Sequence, residues 1–127
     1  MILLTSPSDQ IDLQSGGTVS IKVHVSYVDV AGSPAAASVG RKNTAINSAT
    51  TTPIVTSPPV GTSRNVKFVS VQNTDPAVSE AIEILHTDGT TIVPLQTLTL
   101  PAGWTLTYND LNGWSLFNAS GSRNGPA

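Results

Sequence analysis

Apolar and polar residues alternate along much of this chain, which is the pattern of β-strands that bury one face. The longest alternating stretch spans residues 18–30, and a shorter one spans 9–14. Ser15-Gly16-Gly17 lies between these stretches and favours a tight turn. Residues 1–30 are therefore predicted to form an N-terminal hairpin, one face of which packs against the rest of the domain.

Residues 63–118 are predicted to form the main β-module. Strands are expected at 64–72, 80–87, 90–93, 96–100, 104–108 and 114–117. Asp88-Gly89 between two β-rich runs predicts a hairpin with a type I′ turn, in which both central residues have positive φ. Residues 109–113 supply the turn between the last two strands.

The strand at 64–72 has apolar residues on both faces. Simple alternation places Val66 and Phe68 on one face and Val69 and Val71 on the other. Strands with two apolar faces are usually covered on both sides. This strand is therefore expected to lie inside a sandwich or jelly roll, or to be covered by an identical subunit.

Two segments have a different composition. Residues 31–62 begin with small residues, contain few large apolar ones and have only weak strand character, which favours an extended arm or linker. Residues 119–127 are predicted to be a mobile or partner-bound tail. The whole chain, 1–127, is thus expected to be one all-β domain, an antiparallel β-sandwich or jelly-roll-like module with an N-terminal hairpin and a long arm.

Composition agrees with this fold class and narrows the partners. Only 11% of the 127 residues are charged, and the net charge of −2 leaves no basic patch for nucleic acid. The absence of cysteine excludes disulfides and thiolate metal sites. The apolar start at residues 1–4 is too short for a signal peptide or a membrane span, so the expected site of synthesis is a cytoplasm.

No local motif predicts catalysis or a cofactor. His24 and His86 are isolated and do not supply the ligand set of a metal centre. Glu80 and Glu83 point to opposite faces of a strand, so they cannot flank one substrate. The chain contains no nucleophile elbow and no phosphate-binding glycine loop. We therefore expect a protein that is not an enzyme and that holds no metal or cofactor.

Three aromatic residues and one basic doublet are candidates for an interface. Trp104, Tyr108 and Trp114 lie on the last hairpin, where they either form a sugar-stacking platform or cover the core or a subunit interface; the second reading is favoured. Arg41-Lys42 either anchors the arm to an acidic neighbouring surface or is simply solvated. The candidate interface residues are Arg41, Lys42, Val66, Phe68, Val69, Val71, Trp104, Tyr108 and Trp114.

Several strings resemble small structural proteins of tailed bacteriophages. They are residues 40–46, 62–67, 71–74, 86–91 and 100–108, followed by Gly113-Trp114, and the resemblance extends over about Ile11 to Phe117. It lies in strings and in turn positions, so it carries over no binding residue.

The resemblance implies a capsid decoration (cement) protein, made in the cytoplasm of a bacterial host and located on the virion. In this hypothesis the protein forms a homotrimer and binds the major capsid protein or other virion proteins on the outside of the shell, with no nucleic-acid or membrane partner. Two alternatives stay open: a carbohydrate- or receptor-binding module of a head or tail fibre, and a tail or connector component.

Overall fold

The structure is a computed structural model and describes residues 1–124. These residues form strands joined by turns and loops, without a helix, so the all-β prediction is confirmed. The strands are β1 (Ile2–Leu4), β2 (Gln10–Ser15), β3 (Ile21–Ala31), β4 (Ala36–Ile46), β5 (Thr51–Val55), β6 (Thr62–Asn73), β7 (Glu80–Thr87), β8 (Ile92–Leu100), β9 (Thr105–Asn109) and β10 (Gly113–Phe117). Across residues 1–124, no helix is available that could span a membrane.

Two antiparallel sheets pack against each other, which confirms a β-sandwich. Sheet A has the order β10-β9-β6-β3-β4, and β1 pairs with β6 beyond the end of β9. Sheet B has the order β5-β2-β7-β8. The hairpins β3–β4, β7–β8 and β9–β10 each stay within one sheet, and every other connection between consecutive strands crosses from one sheet to the other.

The core lies between the two sheets and is made mainly of aliphatic side chains. Sheet A supplies residues such as Ile21, Val25 and Leu106, while sheet B supplies residues such as Leu13 and Ile84. All of these side chains are almost completely buried. Strand alternation explains the pattern, because every second residue of β2, β3, β7 and β9 points into this layer.

The predicted N-terminal hairpin does not form. β2 pairs with β5 and β7 in sheet B, whereas β3 pairs with β4 and β6 in sheet A. The turn at residues 15–17 is real, but it carries the chain across the core. The Gly16 amide donates to the Ala81 carbonyl at 3.0 Å, so this connection is fixed by β7.

Residues 31–62, which the sequence assigned to an arm or linker, contain the edge strands β4 and β5 and their connections. β4 pairs with β3 over eleven residue pairs, from Ala31↔Ala36 to Ile21↔Ile46. An edge strand lies at the rim of the core, where its inner face is less buried. The segment therefore needs few large apolar residues. Only Ile46, Ile54, Val55, Pro58 and Thr62 are buried within it.

The Asp88-Gly89 hairpin is confirmed, but its turn is not of type I′. The closest pair of β7 and β8 is Thr87↔Ile92, so the loop has four residues, and only Gly89 has a positive φ. The Asp88 carboxylate accepts hydrogen bonds from the Thr90 and Thr91 amides, at 2.9 and 2.7 Å. These hydrogen bonds, of which the one from Thr91 has the largest effect, keep the pKa of Asp88 below its ordinary range.

The last hairpin, β9–β10, is confirmed, and its closing pair is Asn109↔Gly113. The chain after it folds back on itself, since the Asn124 amide donates to the Leu116 carbonyl at 2.7 Å and Arg123 bridges to Phe117. Residues 119–124 of the predicted tail are thus held against the end of β10. The remainder of that prediction, residues 125–127, lies outside the described part of the chain.

The β3–β4 hairpin is held by an aromatic ring that lies over a glycine. Tyr27 is paired with Gly40, and a Cβ built on Gly40 lies 2.5 Å from the Tyr27 ring. On the ring, the Arg64 guanidinium carbon sits 4.0 Å from the centroid. Because Arg64 is itself fixed by an ion pair with Asp29, it limits how far the ring can move away from Gly40.

This arrangement predicts that Gly40→Ala destabilises the domain by about 1–3 kcal/mol, the usual range for overpacking. The measurement is the urea unfolding midpoint of each variant. Gly16→Ala is the matched control, since its Cβ would make ordinary contacts of 3.5 Å to Ala81. Equal stability of the two variants would show that the Tyr27 ring is free to move away.

Candidate functional site

One extra residue in β6 changes which of the predicted interface residues face the core. Ser26 pairs with Phe68 and Tyr27 pairs with Val66, so Lys67 has no partner on β3 and forms a β-bulge. Val66 therefore points inward together with Val69 and Val71, and all three are almost fully buried. The expectation of two apolar faces is corrected: β6 has one apolar face, and Phe68 is the large apolar residue on the other.

The outward position of Phe68 places it beside His24 on β3. Their ring centroids are 6.3 Å apart, and His24 Nδ1 is 2.6 Å from the Asn43 side-chain oxygen. His24 is thus a hydrogen-bonded strand histidine, as predicted. A shallow depression of about 540 Å³ lies over this part of sheet A, between Lys22, Asn43 and Gln72.

The three aromatic residues of the last hairpin pack against the core. Tyr108 is 4% exposed, and its ring lies 5.1 Å from that of Trp114, its direct partner on β10. Trp104 and Trp114 are partly buried against the same cluster. Because the Tyr108 ring is enclosed, these residues do not present three rings on one open face, and the core reading of this group agrees with the geometry.

Burial also raises the pKa of the Tyr108 hydroxyl, and the nearby carboxylate of Asp110 acts in the same direction. The hydroxyl is enclosed in protein and faces the backbone of Ile2. Tyr108 therefore belongs to the junction between β1 and β9 rather than to an accessible surface.

Arg41 and Lys42 lie in the middle of β4, at the edge of sheet A. Arg41 is exposed on the outer face opposite Ser26, while Lys42 is half-buried on the inner face opposite Val25. Val39, two residues before Arg41, shares its face and is 86% exposed. The basic doublet and an exposed valine thus lie together on one strand whose outer edge has no neighbour in the described chain.

The edge of β4 lacks the proline, the register shift and the short length that block strand pairing at the other sheet edges. β5 and β8 contain Pro53 and Pro94, and both have a register shift next to the proline. β10 has five residues and is followed by the folded-back chain, and β1 has only three residues. β4 has eleven residues, no proline and an unbroken register with β3. Free edges of this length are sites where another strand can add, and most proteins block them.

The distribution of cations gives this edge a positive charge. Arg64 and Lys67 are neutralised locally, by Asp29 at 2.8 Å and Asp110 at 2.8 Å. Arg41, Lys42 and Lys22 on the neighbouring strand β3 make no ion pair with the described residues. Three basic groups without a carboxylate partner among the described residues, two of them exposed and one half-buried, therefore lie on the β3–β4 side of sheet A.

A buried ion pair supports this side of the sandwich from within. Arg64 on β6 is 6% exposed and makes a two-pronged contact to the carboxylate of Asp29 on β3, at 2.8 and 3.0 Å. It also donates to the Thr56 carbonyl at 2.7 Å. The hydrogen bond to Asp29 is the main cause that raises the pKa of Arg64 above its ordinary value. Arg64 thus connects β3, β6 and the β5–β6 connection, a role that its sequence position did not indicate.

Metal chemistry finds no support in the part of the chain that the structure describes. No group of three or more His, Cys, Asp or Glu side chains is placed there to hold a metal ion. The two acidic residues nearest to one another on β7, Glu80 and Glu83, are separated as predicted. Glu80 is buried and accepts a hydrogen bond from the Val19 amide at 3.0 Å, whereas Glu83 lies on the outer face opposite Gln14.

Comparison with known proteins identifies no relative: no family model, curated protein or solved structure matches the chain. The surface of this domain is therefore the guide to its function.

Loss of the Arg64 contacts is expected to destabilise the domain strongly. Arg64→Ala leaves the Asp29 carboxylate and the Thr56 carbonyl without their partner, and removing one member of a buried pair costs about 3–5 kcal/mol. Urea unfolding measures this loss. Arg41→Ala, which removes an exposed cation, is the control and should change stability by less than about 0.5 kcal/mol. Similar values for both variants would contradict the supporting role of Arg64.

Acid should weaken the junction between β1, β6 and β9. Lys67 donates to the Asp110 carboxylate at 2.8 Å, and the Met1 amino group is 3.9 Å from its other oxygen. The hydrogen bond from Lys67 is the main cause that holds the pKa of Asp110 below its ordinary range. The folded state therefore binds this proton less readily than the unfolded state, whose aspartate pKa is about 3.9, and stability falls as the pH drops below about 4.

The expected result is that Asp110→Asn makes the urea midpoint less sensitive to acid, measured from about pH 5 to pH 2. Lys67→Gln should have a similar effect, because it removes the largest cause of the lowered pKa. Unchanged acid sensitivity in both variants would show that other carboxylates control the acid limb.

Proposed function

We propose that this chain is a non-enzymatic structural protein of a phage particle, which binds the outside of the capsid and stabilises it. The free edge of β4 is the single observation that supports the proposal most directly. It offers to a neighbouring subunit eleven residues of strand, an exposed valine and basic groups that make no ion pair with the described residues. Contact of this kind needs shape, main-chain hydrogen bonds and charge, and it needs no reactive group. The phage setting comes from the sequence resemblance.

Strand addition alone buries little surface, so a stable complex needs further contacts. Specific interfaces usually bury about 1,200–2,000 Å² in total. The exposed valines Val30 and Val39 lie at the end of the β3–β4 hairpin, next to the small residues 35–37, and offer additional apolar area. In our proposal this end of the hairpin and the edge of β4 contact the major capsid protein, and the protein assembles as a trimer.

The test uses particles that lack the protein. Purified protein added to them should sediment with the capsids and raise the temperature at which they release their DNA. Light scattering of the free protein should give the mass of a trimer. A protein that stays in the supernatant and leaves particle stability unchanged would overturn the capsid-binding role, whatever its own oligomeric state.

A matched pair of variants localises the contact. Val39→Asp places a charge on the exposed face of β4 and should reduce sedimentation with capsids. Leu111→Asp is the control, because Leu111 is also highly exposed but lies in the β9–β10 turn. Both variants should fold normally, since neither side chain contributes to the core.

A further inference from the structure

We propose that the edge of β4 accepts an extended acidic segment of a partner protein, which joins sheet A as a further strand. On the face that the partner shares with Val39 and Arg41, this segment carries an apolar residue and an Asp or Glu two positions apart. The inference names the partner chemistry of the proposed assembly role and rests on that role for its biological setting.

The backbone determines that the partner is extended. β4 is paired on one side by β3 without a register shift, so its conformation is that of a regular strand over its whole length. The backbone groups on its other side meet no strand of the described chain. An extended peptide satisfies such groups along an edge, and its side chains then face those of β4 directly across the pair.

The side chains of β4 determine the sequence pattern of the partner. Val39 and Arg41 are two residues apart and both lie on the outer face, opposite Val28 and Ser26 of β3. A partner strand presents its own residues to this face at the same spacing of two. An apolar residue opposite Val39 would cover a side chain that is 86% exposed, and a carboxylate opposite Arg41 would neutralise it.

Charge favours an acidic partner along the whole edge. Among the described residues, Arg41, Lys42 and the nearby Lys22 have no carboxylate partner, whereas Asp29 of β3 and Asp110 of the β9–β10 turn are already paired with Arg64 and Lys67. A partner strand that is basic or uncharged would leave these three cations unneutralised. An acidic segment adds opposite-charge pairs, each of modest strength at an exposed edge.

The same charges disfavour a second copy of this chain at the edge. A symmetric pairing of two β4 strands over their full length is centred on Arg41, because it is the middle residue of Ala36–Ile46. The pairing would set Arg41 against the Arg41 of the other copy, and like charges directly opposite are destabilising. The basic residues thus hinder self-pairing through β4 while favouring an acidic strand.

The test is a titration of the labelled protein, followed by NMR, with a synthetic peptide of about ten residues whose centre reads Glu-Thr-Val. In antiparallel pairing, as in the rest of sheet A, this order places Glu opposite Arg41 and Val opposite Val39. The expected result is saturable shifts and slower amide exchange along β4. Arg41→Glu should weaken binding by about fivefold, and a peptide with Lys in place of Glu should bind the Arg41→Glu protein better than the original protein. This exchange of charges separates a direct pair from a general effect of the substitution.

Arg123→Glu is the matched control, since it makes the same charge change beside β10 and should leave peptide affinity unchanged. Chemical-shift changes confined to another edge, or no changes at all, would overturn the inference. The charges on β4 would then serve only to oppose strand pairing. Dimers that form through β4 without peptide would also overturn it and identify a second copy as the occupant. If the protein binds capsids but does not bind the peptide, the proposed function stands and only this inference is overturned.

Discussion

The single extra residue at Lys67 determines how β6 meets the rest of the domain. On one side of the bulge Val69 and Val71 point inward, and on the other side Val66 and Arg64 do. Uninterrupted alternation would turn Val66 and Arg64 toward solvent. The bulge also lies where β1 ends and β9 begins along the same edge of β6, and Asp110 closes this junction by binding Lys67 through both its side chain and its backbone amide. Three neighbouring strands thus depend on one local irregularity.

Buried polar residues then fix the two ends of the sandwich. At one end Arg64 joins β3 and the β5–β6 connection. At the other end Asn73, which is fully buried, donates to the carbonyls of Val78 and Leu100, at 2.9 and 3.0 Å. Such groups are costly when unsatisfied, so they favour one arrangement of the connections that cross the core. These contacts connect the strands at both ends of the sandwich, and those of Arg64 hold β3, the inner strand of the β3–β4 hairpin, in place.

Local signals in the sequence predicted much of this fold. The alternation of β2, β3 and β7 and the turns at Asp88-Gly89 and 109–113 identified the strands and two hairpins, because these features depend on neighbouring residues. Sheet assignment depends on contacts distant in sequence, so the turn residues at 15–17 predict a hairpin where the chain in fact crosses the core. No sequence signature marks the bulge at Lys67, and the predicted orientation of Val66, on the same face as Phe68, was therefore wrong. The weak strand signal of 31–46 reflects an edge position, where burial no longer requires large apolar residues.

The candidate surface follows from comparing edges rather than from any motif. Each sheet of an open sandwich has two edges, and natural proteins block them with prolines, bulges, short strands or charges. Here the first three devices protect β5, β8, β10 and β1, while β4 carries only Arg41 and Lys42. A charge is a selective barrier, because it repels a like-charged strand and attracts an opposite one. An edge that only charge protects is therefore still available to a partner of opposite charge, and this property links Arg41-Lys42 to the proposed role in assembly.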